Sequence, residues 1–257
     1  MPGVKLAFHF EHSPNPEDLQ ARLPALAREG WKPASALREV EVTFPSGRRE
    51  AMYSQTYVRP ALFPVCRRIG ATLPPRFEVL AGPIKPCEHL VHFYADESHF
   101  LKSLEAFIVA GLMAGEAVLV IVLPEHRSAL EFRLALHGLD LATLTEDRQL
   151  VLLDAQATLA SFLTDGMPDE MLFERVVGGL VTELRATHRT VRAFGEMVGI
   201  LWGNGHRAAT LRLEEIWHRY CQREGLVLYC AYRRDEFAGH EAALQQICAS
   251  HSQLIEA

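Results

Sequence analysis

The chain has 257 residues, of which 49% are hydrophobic and 23% charged. That is the balance of a globular protein with one large core or two smaller ones, and it excludes a disordered chain. Its longest apolar run, Ala117 to Leu123, is too short to span a bilayer, and the amino terminus lacks the basic-then-apolar pattern of a signal peptide, so a cytoplasmic location with no membrane contact is expected. The net charge of −6 is unevenly divided. Residues 1–86 carry 12 Lys+Arg against 8 Asp+Glu (+4), leaving 14 against 24 (−10) for residues 87–257. The acidic part would repel phosphates, and the arginines of the basic part are scattered without a recognition-helix pattern, so nucleic acid is not the expected partner. Five cysteines, odd in number and with no C-x-x-C pair, suggest buried thiols and neither a disulfide framework nor a zinc ribbon.

Proline marks a boundary, because 12 of the 14 fall in residues 1–86. We read residues 1–86 as a small α+β module and residues 87–257 as a second domain. The first opens with a strand over Val4 to Phe10. A helix follows, capped by Asn15, with Pro16 in its first turn and Glu17 and Asp18 at the positive end of its dipole. Leu19, Leu23 and Leu26 form its apolar stripe, Pro24 should kink it, and Gly30 ends it. Val40, Val42 and Phe44 alternate before the turn Pro45-Ser46-Gly47, and Tyr53 to Val58 returns, which describes a hairpin.

The second module alternates short apolar runs with amphipathic stretches. Strands are expected over Leu90 to Tyr94, Ala117 to Leu123, Leu150 to Leu153, Val191 to Val198 and Leu226 to Tyr232. Helices are expected over Phe100 to Met113, Met171 to Arg185, Ala208 to Arg223 and Glu241 to Glu256, and Gly199 to Gly205 reads as a turn. Strands joined through helices of this length can pair in parallel only by crossovers, which gives an α/β fold with a mostly parallel, doubly wound sheet and helices on both faces.

Ligands of such sheets bind beyond the carboxyl ends of the strands. That rule selects His92 and Tyr94 after the first strand, Glu125 and His126 after the second, and Asp154 after the third. It adds Glu196 and Trp202 at and beyond the fourth, and Cys230 and Tyr232 at the fifth. Asp154 would serve equally as a helix cap, and Tyr232 could simply pack. Glu196 stands out because Phe194-Gly195-Glu196-Met197-Val198 is otherwise suited to burial, where a carboxylate needs a partner, with Arg192 or Arg207 as the obvious candidates. Cys87-x-His89-x-x-His92 has the residue types of a metal site, but strand alternation puts His92 on the opposite face from Cys87 and His89, so no metal or other cofactor is expected. Nor is there H-E-x-x-H or G-x-S-x-G, so no enzyme is expected. The junction Tyr94-Ala95-Asp96-Glu97-Ser98-His99 has neither glycine nor lysine and carries two carboxylates, which is hostile to a triphosphate.

Taken in order, His92-Phe93-Tyr94, Ala110-Gly111-Leu112-x-x-Gly115-Glu116, Phe194-Gly195-Glu196-Met197-Val198 with Leu201-Trp202, Arg212-Leu213-Glu214-x-x-Trp217 and Cys230-Ala231-Tyr232 resemble the MEDS domain. The resemblance covers about Cys87 to Tyr232. It implies a RecA-like sheet of the KaiC group whose phosphate loop has been lost, and a signalling role in sensing simple hydrocarbon derivatives. A small-molecule ligand, a signalling protein partner or a homodimer follow as expected partners. Family members are often joined to DNA-binding or kinase modules, of which residues 1–86 show no signature. The alternative is a protein-interaction adaptor whose old nucleotide crevice is filled.

Overall fold

A computed structural model describes residues 6–28, 31–33, 36–43, 49–60 and 77–256. In the first module, β1 (Leu6–Ser13) leads into α1 (Pro16–Arg28), and Asn15 Oδ1 accepts from the Glu17 N–H at 3.0 Å, satisfying one orphan amide of the first turn. Pro24 lies inside α1, and Leu19 and Leu26 are buried. A short β2 (Lys32–Pro33), β3 (Arg38–Thr43) and the long β4 (Arg49–Pro60) complete an antiparallel sheet in which β1, β2 and β3 all pair with β4. The expected hairpin is thus β3 with β4, Val40 standing opposite Met52. Its turn, like Val4, Gly30 and Cys66, lies outside the described residues.

The short α2 (Phe77–Leu80) precedes the second module. There the order is β5 (His89–Tyr94), α3 (Glu97–Met113), β6 (Ala117–Val122), α4 (Pro124–Leu136), α5 (Leu141–Glu146), β7 (Leu150–Asp154) and α6 (Ala155–Ala160). A two-residue ribbon, β8 (Leu163–Thr164) with β9 (Met167–Pro168), leads to α7 (Glu170–Phe173), a π-helical segment (Glu174–Gly178) and α8 (Gly179–Thr187). Then come β10 (Val191–Gly195), α9 (Met197–Gly203), α10 (Arg207–Glu224), β11 (Val227–Arg233), a 3-10 turn (Arg234–Phe237), α11 (Glu241–Ser250) and β12 (Gln253–Glu256).

Six of these strands form one parallel sheet in the order β12-β5-β11-β10-β6-β7. Helices cover both faces, and the alternation of side chains divides the core in two. Val91, Phe93, Leu119, Ala193 and Leu228 meet α6 to α11 on one face. Leu90, Tyr94, Val118, Val120, Phe194 and Tyr229 meet α3 and α4 on the other. Because both faces are covered, β5, β6 and β10 are buried throughout, and β6 reads as a continuous apolar run, while His89 and His92 interrupt β5 and Arg192 interrupts β10.

Two expectations are corrected. The fourth strand does not reach Val198. It stops at Gly195, Glu196 is already right-handed helical at φ −83° and ψ −8°, and Met197 to Gly203, read as strand and turn, is α9. An apolar run of this length carries no periodicity that separates buried strand from buried helix. The last helix ends at Ser250, and β12 joins the sheet edge beside β5.

Arg192 is buried in the second face. Its side chain is 1% exposed; Nε pairs with Glu116, while Nη1 and Nη2 donate to the carbonyls of Phe107 and Gly82 at 3.3 and 3.2 Å. A buried guanidinium is tolerable only when its donors are met in this way. Gly111 packs directly over it, since a Cβ there would lie 2.8 Å from Arg192 Cδ. Leu80 and Ile84 belong to the same core, so the segment just before Cys87 packs with the sheet.

Candidate functional site

A crevice of about 590 Å³ opens at the carboxyl ends of β5, β6, β10 and β11, the place where parallel sheets present helix amino termini and loops. Tyr94 closes β5, Leu123 and Glu125 follow β6, Glu196 follows β10, and Ala231 to Arg233 end β11. Its wall is α9, which turns Gly199 and Gly203 toward the end of β11 and its 3-10 turn. A Cβ at Gly199 would lie 3.1 Å from the Ala231 carbonyl oxygen, and one at Gly203 3.3 Å from Glu236 Oε1. The glycines thus permit the helix to lie against the strand end.

Glu196 is fixed from two sides. Its Oε2 accepts the Leu123 N–H at 2.8 Å, and Oε1 lies 2.6 Å from His126 Nδ1, with side-chain exposures of 7% and 10% for the ion pair. The arginines that a purely structural ion pair would use are elsewhere: Arg192 pairs with Glu116, and Arg207 stacks on Trp202 at 3.8 Å. His126 Nε2 in turn lies 3.0 Å from Glu97 Oε1. Burial pulls the His126 pKa down, but the Glu196 and Glu97 carboxylates outweigh it and leave it above the ordinary imidazole value. Glu97, Glu125, Glu196 and Glu236 all line the crevice. Against them stand His126 and Arg233, and Arg233 is already paired with Asp235 at 3.0 Å. The field in the crevice is therefore negative.

The amino terminus of α3, where a phosphate loop would present its amides, holds a carboxylate of its own. Asp96 caps the helix, accepting from the His99 N–H at 2.9 Å and pairing with His99 Nδ1 at 2.8 Å.

Of the residues selected from sequence, Tyr94, Glu125, His126, Glu196 and Tyr232 line this crevice. Four others lie elsewhere. Asp154 caps α6, accepting from Ala157 N–H at 2.7 Å. His92 points into the α3 core, 2.9 Å from the Tyr229 hydroxyl, and burial pushes its pKa down to about 4. Trp202 is fully buried behind the wall, stacked on Phe237 at 4.1 Å, with Nε1 donating to the Glu236 carbonyl. Its indole therefore braces the segment carrying Glu236. Glu97, Gln156 and Glu236 were not selected. Glu97 lies in the junction already noted for its carboxylates, whereas nothing in the local sequence of the other two marks them.

Cys230 belongs to a second cluster. Strand alternation does separate His89 from His92, but it brings His89 to Glu214 of α10, Cys230 of β11 and His251 at the end of α11. The four ligating atoms lie within 4.8 Å of one another. The Tyr232 hydroxyl donates to Glu214 Oε1. Burial opposes ionisation of Glu214, yet His251, His89 and Tyr232 hold its pKa down to about 2.

Fold and crevice together define a doubly wound α/β module with a charged site at the carboxyl edge of a parallel sheet. The chain belongs to the MEDS family, described as "MEthanogen/methylotroph, DcmR Sensory domain", which matches residues 88–252. This is a sensory domain family, which places the chain in a sensory or regulatory role. None of the curated proteins compared with the chain matches it. No helix among the described residues is long and apolar enough to cross a membrane.

Proposed function

We propose that this protein is a non-enzymatic sensor whose crevice at the carboxyl edge of the sheet binds a small hydrocarbon derivative bearing a cationic or hydrogen-bond-donating group, such as a simple amine. The observation that carries this reading is the lining of four glutamates around about 590 Å³, a volume in the range of small-molecule sites. A carboxylate-lined crevice attracts donors and cations and repels phosphates and carboxylates. Asp96 at the α3 terminus supports the same preference, because the helix dipole is already matched by an internal anion. The volume supports a sensor over an adaptor with a filled crevice. A non-catalytic role is supported by Glu196 and His126, which are ion-paired with each other and held by the Leu123 N–H and by Glu97. Transmission to a signalling partner or a second copy is part of the proposal.

Thermal unfolding of the full chain with methylammonium, trimethylammonium, methanol, acetate and Mg²⁺-ATP tests it. A ligand at about one hundred times its Kd stabilises by about 2.7 kcal/mol, or roughly 5–10 °C for a domain of this size. The amines should shift Tm and ATP and acetate should not. Stabilisation by ATP or acetate without any by the amines overturns the reading.

A further inference from the structure

We propose that His89, Glu214, Cys230 and His251 form a buried four-ligand site for a single Zn²⁺ ion, separate from the crevice. The four side chains come from β5, α10, β11 and the end of α11, and they converge with a thiol, two imidazoles and a carboxylate, the donor types zinc takes. The side chains of His89, Glu214 and His251 are 0%, 3% and 1% exposed, and Cys230 is 0% exposed. Four protein ligands with no open position describe a closed, structural coordination shell.

Three of the six separations between the ligand atoms are those of a tetrahedron, and all six lie within 4.8 Å. With Zn–N and Zn–O bonds of about 2.0–2.1 Å and Zn–S of about 2.3 Å, the edges between ligand atoms are roughly 3.3–3.6 Å. His89 Nε2 lies 3.4 Å from Cys230 Sγ and 3.5 Å from Glu214 Oε2, and His251 Nε2 lies 3.4 Å from Glu214 Oε2. The two nitrogen–oxygen separations are long for a hydrogen bond, and neither Glu214 Oε2 nor His251 Nε2 has a hydrogen-bond partner.

The surrounding groups hold the ligands as a metal requires. His251 Nδ1–H donates to the Ile247 carbonyl at 2.6 Å, which leaves the lone pair of Nε2 facing the cluster. Tyr232 donates to Glu214 Oε1, so Oε2 is the oxygen turned inward. On binding, the Cys230 thiol gives up its proton to solvent and the S–Zn bond forms. One thiolate and one carboxylate then balance the two positive charges of the ion, so the buried site carries no net charge. His218, whose ring is 5.7 Å from that of His89, lines a surface depression beside the cluster.

The test uses the full chain, stripped with a chelator and titrated with Zn²⁺ and, as a spectroscopic probe, Co²⁺. One equivalent of either ion should bind and raise Tm. The Co²⁺ form should show tetrahedral visible bands with a thiolate-to-cobalt charge-transfer band, lost in Cys230→Ser and kept in Cys248→Ser. Should Cys230→Ser fail to fold, X-ray absorption of the wild-type zinc form decides, with one sulfur and three nitrogen or oxygen neighbours expected. Less than one equivalent bound, a shell without sulfur, or a charge-transfer band surviving in Cys230→Ser overturns the proposal. Preference for Mn²⁺, Fe²⁺ or Co²⁺ over Zn²⁺ in direct competition overturns the assignment to zinc.

Discussion

Replacing Glu196 with Gln keeps the shape of the crevice and removes one charge. An amide oxygen can still accept the Leu123 N–H that Oε2 accepts at 2.8 Å, and the amide nitrogen can face His126 Nδ1, now 2.6 Å from Oε1. A charge-assisted hydrogen bond contributes about 1.5–3 kcal/mol and a neutral one about 0.5–1.5, so the exchange costs roughly 1–1.5 kcal/mol. Most of that falls on the protonated form of His126, and at 1.36 kcal/mol per pKa unit its pKa should drop by about one unit. Because the folded pKa of His126 in the wild type is raised, its stabilisation is full below the unfolded value of about 6.5 and is lost as pH rises through the folded pKa. The Gln variant should therefore be less stable than wild type at about pH 6 and close to it once pH exceeds the folded pKa of His126. Urea unfolding across that window, with the His126 titration followed by NMR, measures both quantities. Equal destabilisation at both ends, or an unmoved His126 pKa, would refute the argument that Glu196 holds the imidazolium.

Two further outcomes follow from packing. Leu80 is fully buried, Ile84 is 7% exposed, and Gly82 accepts from Arg192, so a fragment beginning at Cys87 should be less stable than one beginning at Phe77 by about 3 kcal/mol or more. Equal denaturation midpoints and slopes would instead put the boundary at Cys87. Gly199→Ala gains up to about 1 kcal/mol of helix propensity but forces a Cβ to 3.1 Å from the Ala231 carbonyl oxygen, a strain of about 1–3 kcal/mol. Its Tm should fall, whereas Gly203→Ala, which meets only the carboxylate end of the Glu236 side chain, should keep its Tm; a more stable Gly199→Ala would refute the close approach.

The alternation of strands and helices is legible because β5, β6 and β10 are buried on both faces and so are short and rich in apolar residues, β6 without a break. The carboxyl-edge rule then reached Tyr94, His126 and Glu196 with no motif. It failed at Asp154, where a helix cap uses the carboxylate, and at Trp202, because the strand was carried past Gly195 and α9 was not seen. The partner of Glu196 is a histidine that the β6–β10 pairing brings in from α4, which no spacing along the chain near Arg192 or Arg207 reveals. The cluster of His89, Glu214, Cys230 and His251 could not be seen by any local spacing. Its last member depends on β12, four residues too short and too polar to announce a strand.

Arg192 lies near the start of β10 and Glu196 directly follows its end, about 13 Å away at strand rise. An extended segment hydrogen-bonded on both sides is stiff along its length, so β10 behaves as a bar. At one end it meets whatever occupies the crevice; at the other its guanidinium grips Gly82, where the chain arrives from the first module. A pull on Glu196 is thus borne by the same piece of backbone that anchors the incoming chain, with no loop between them to absorb it.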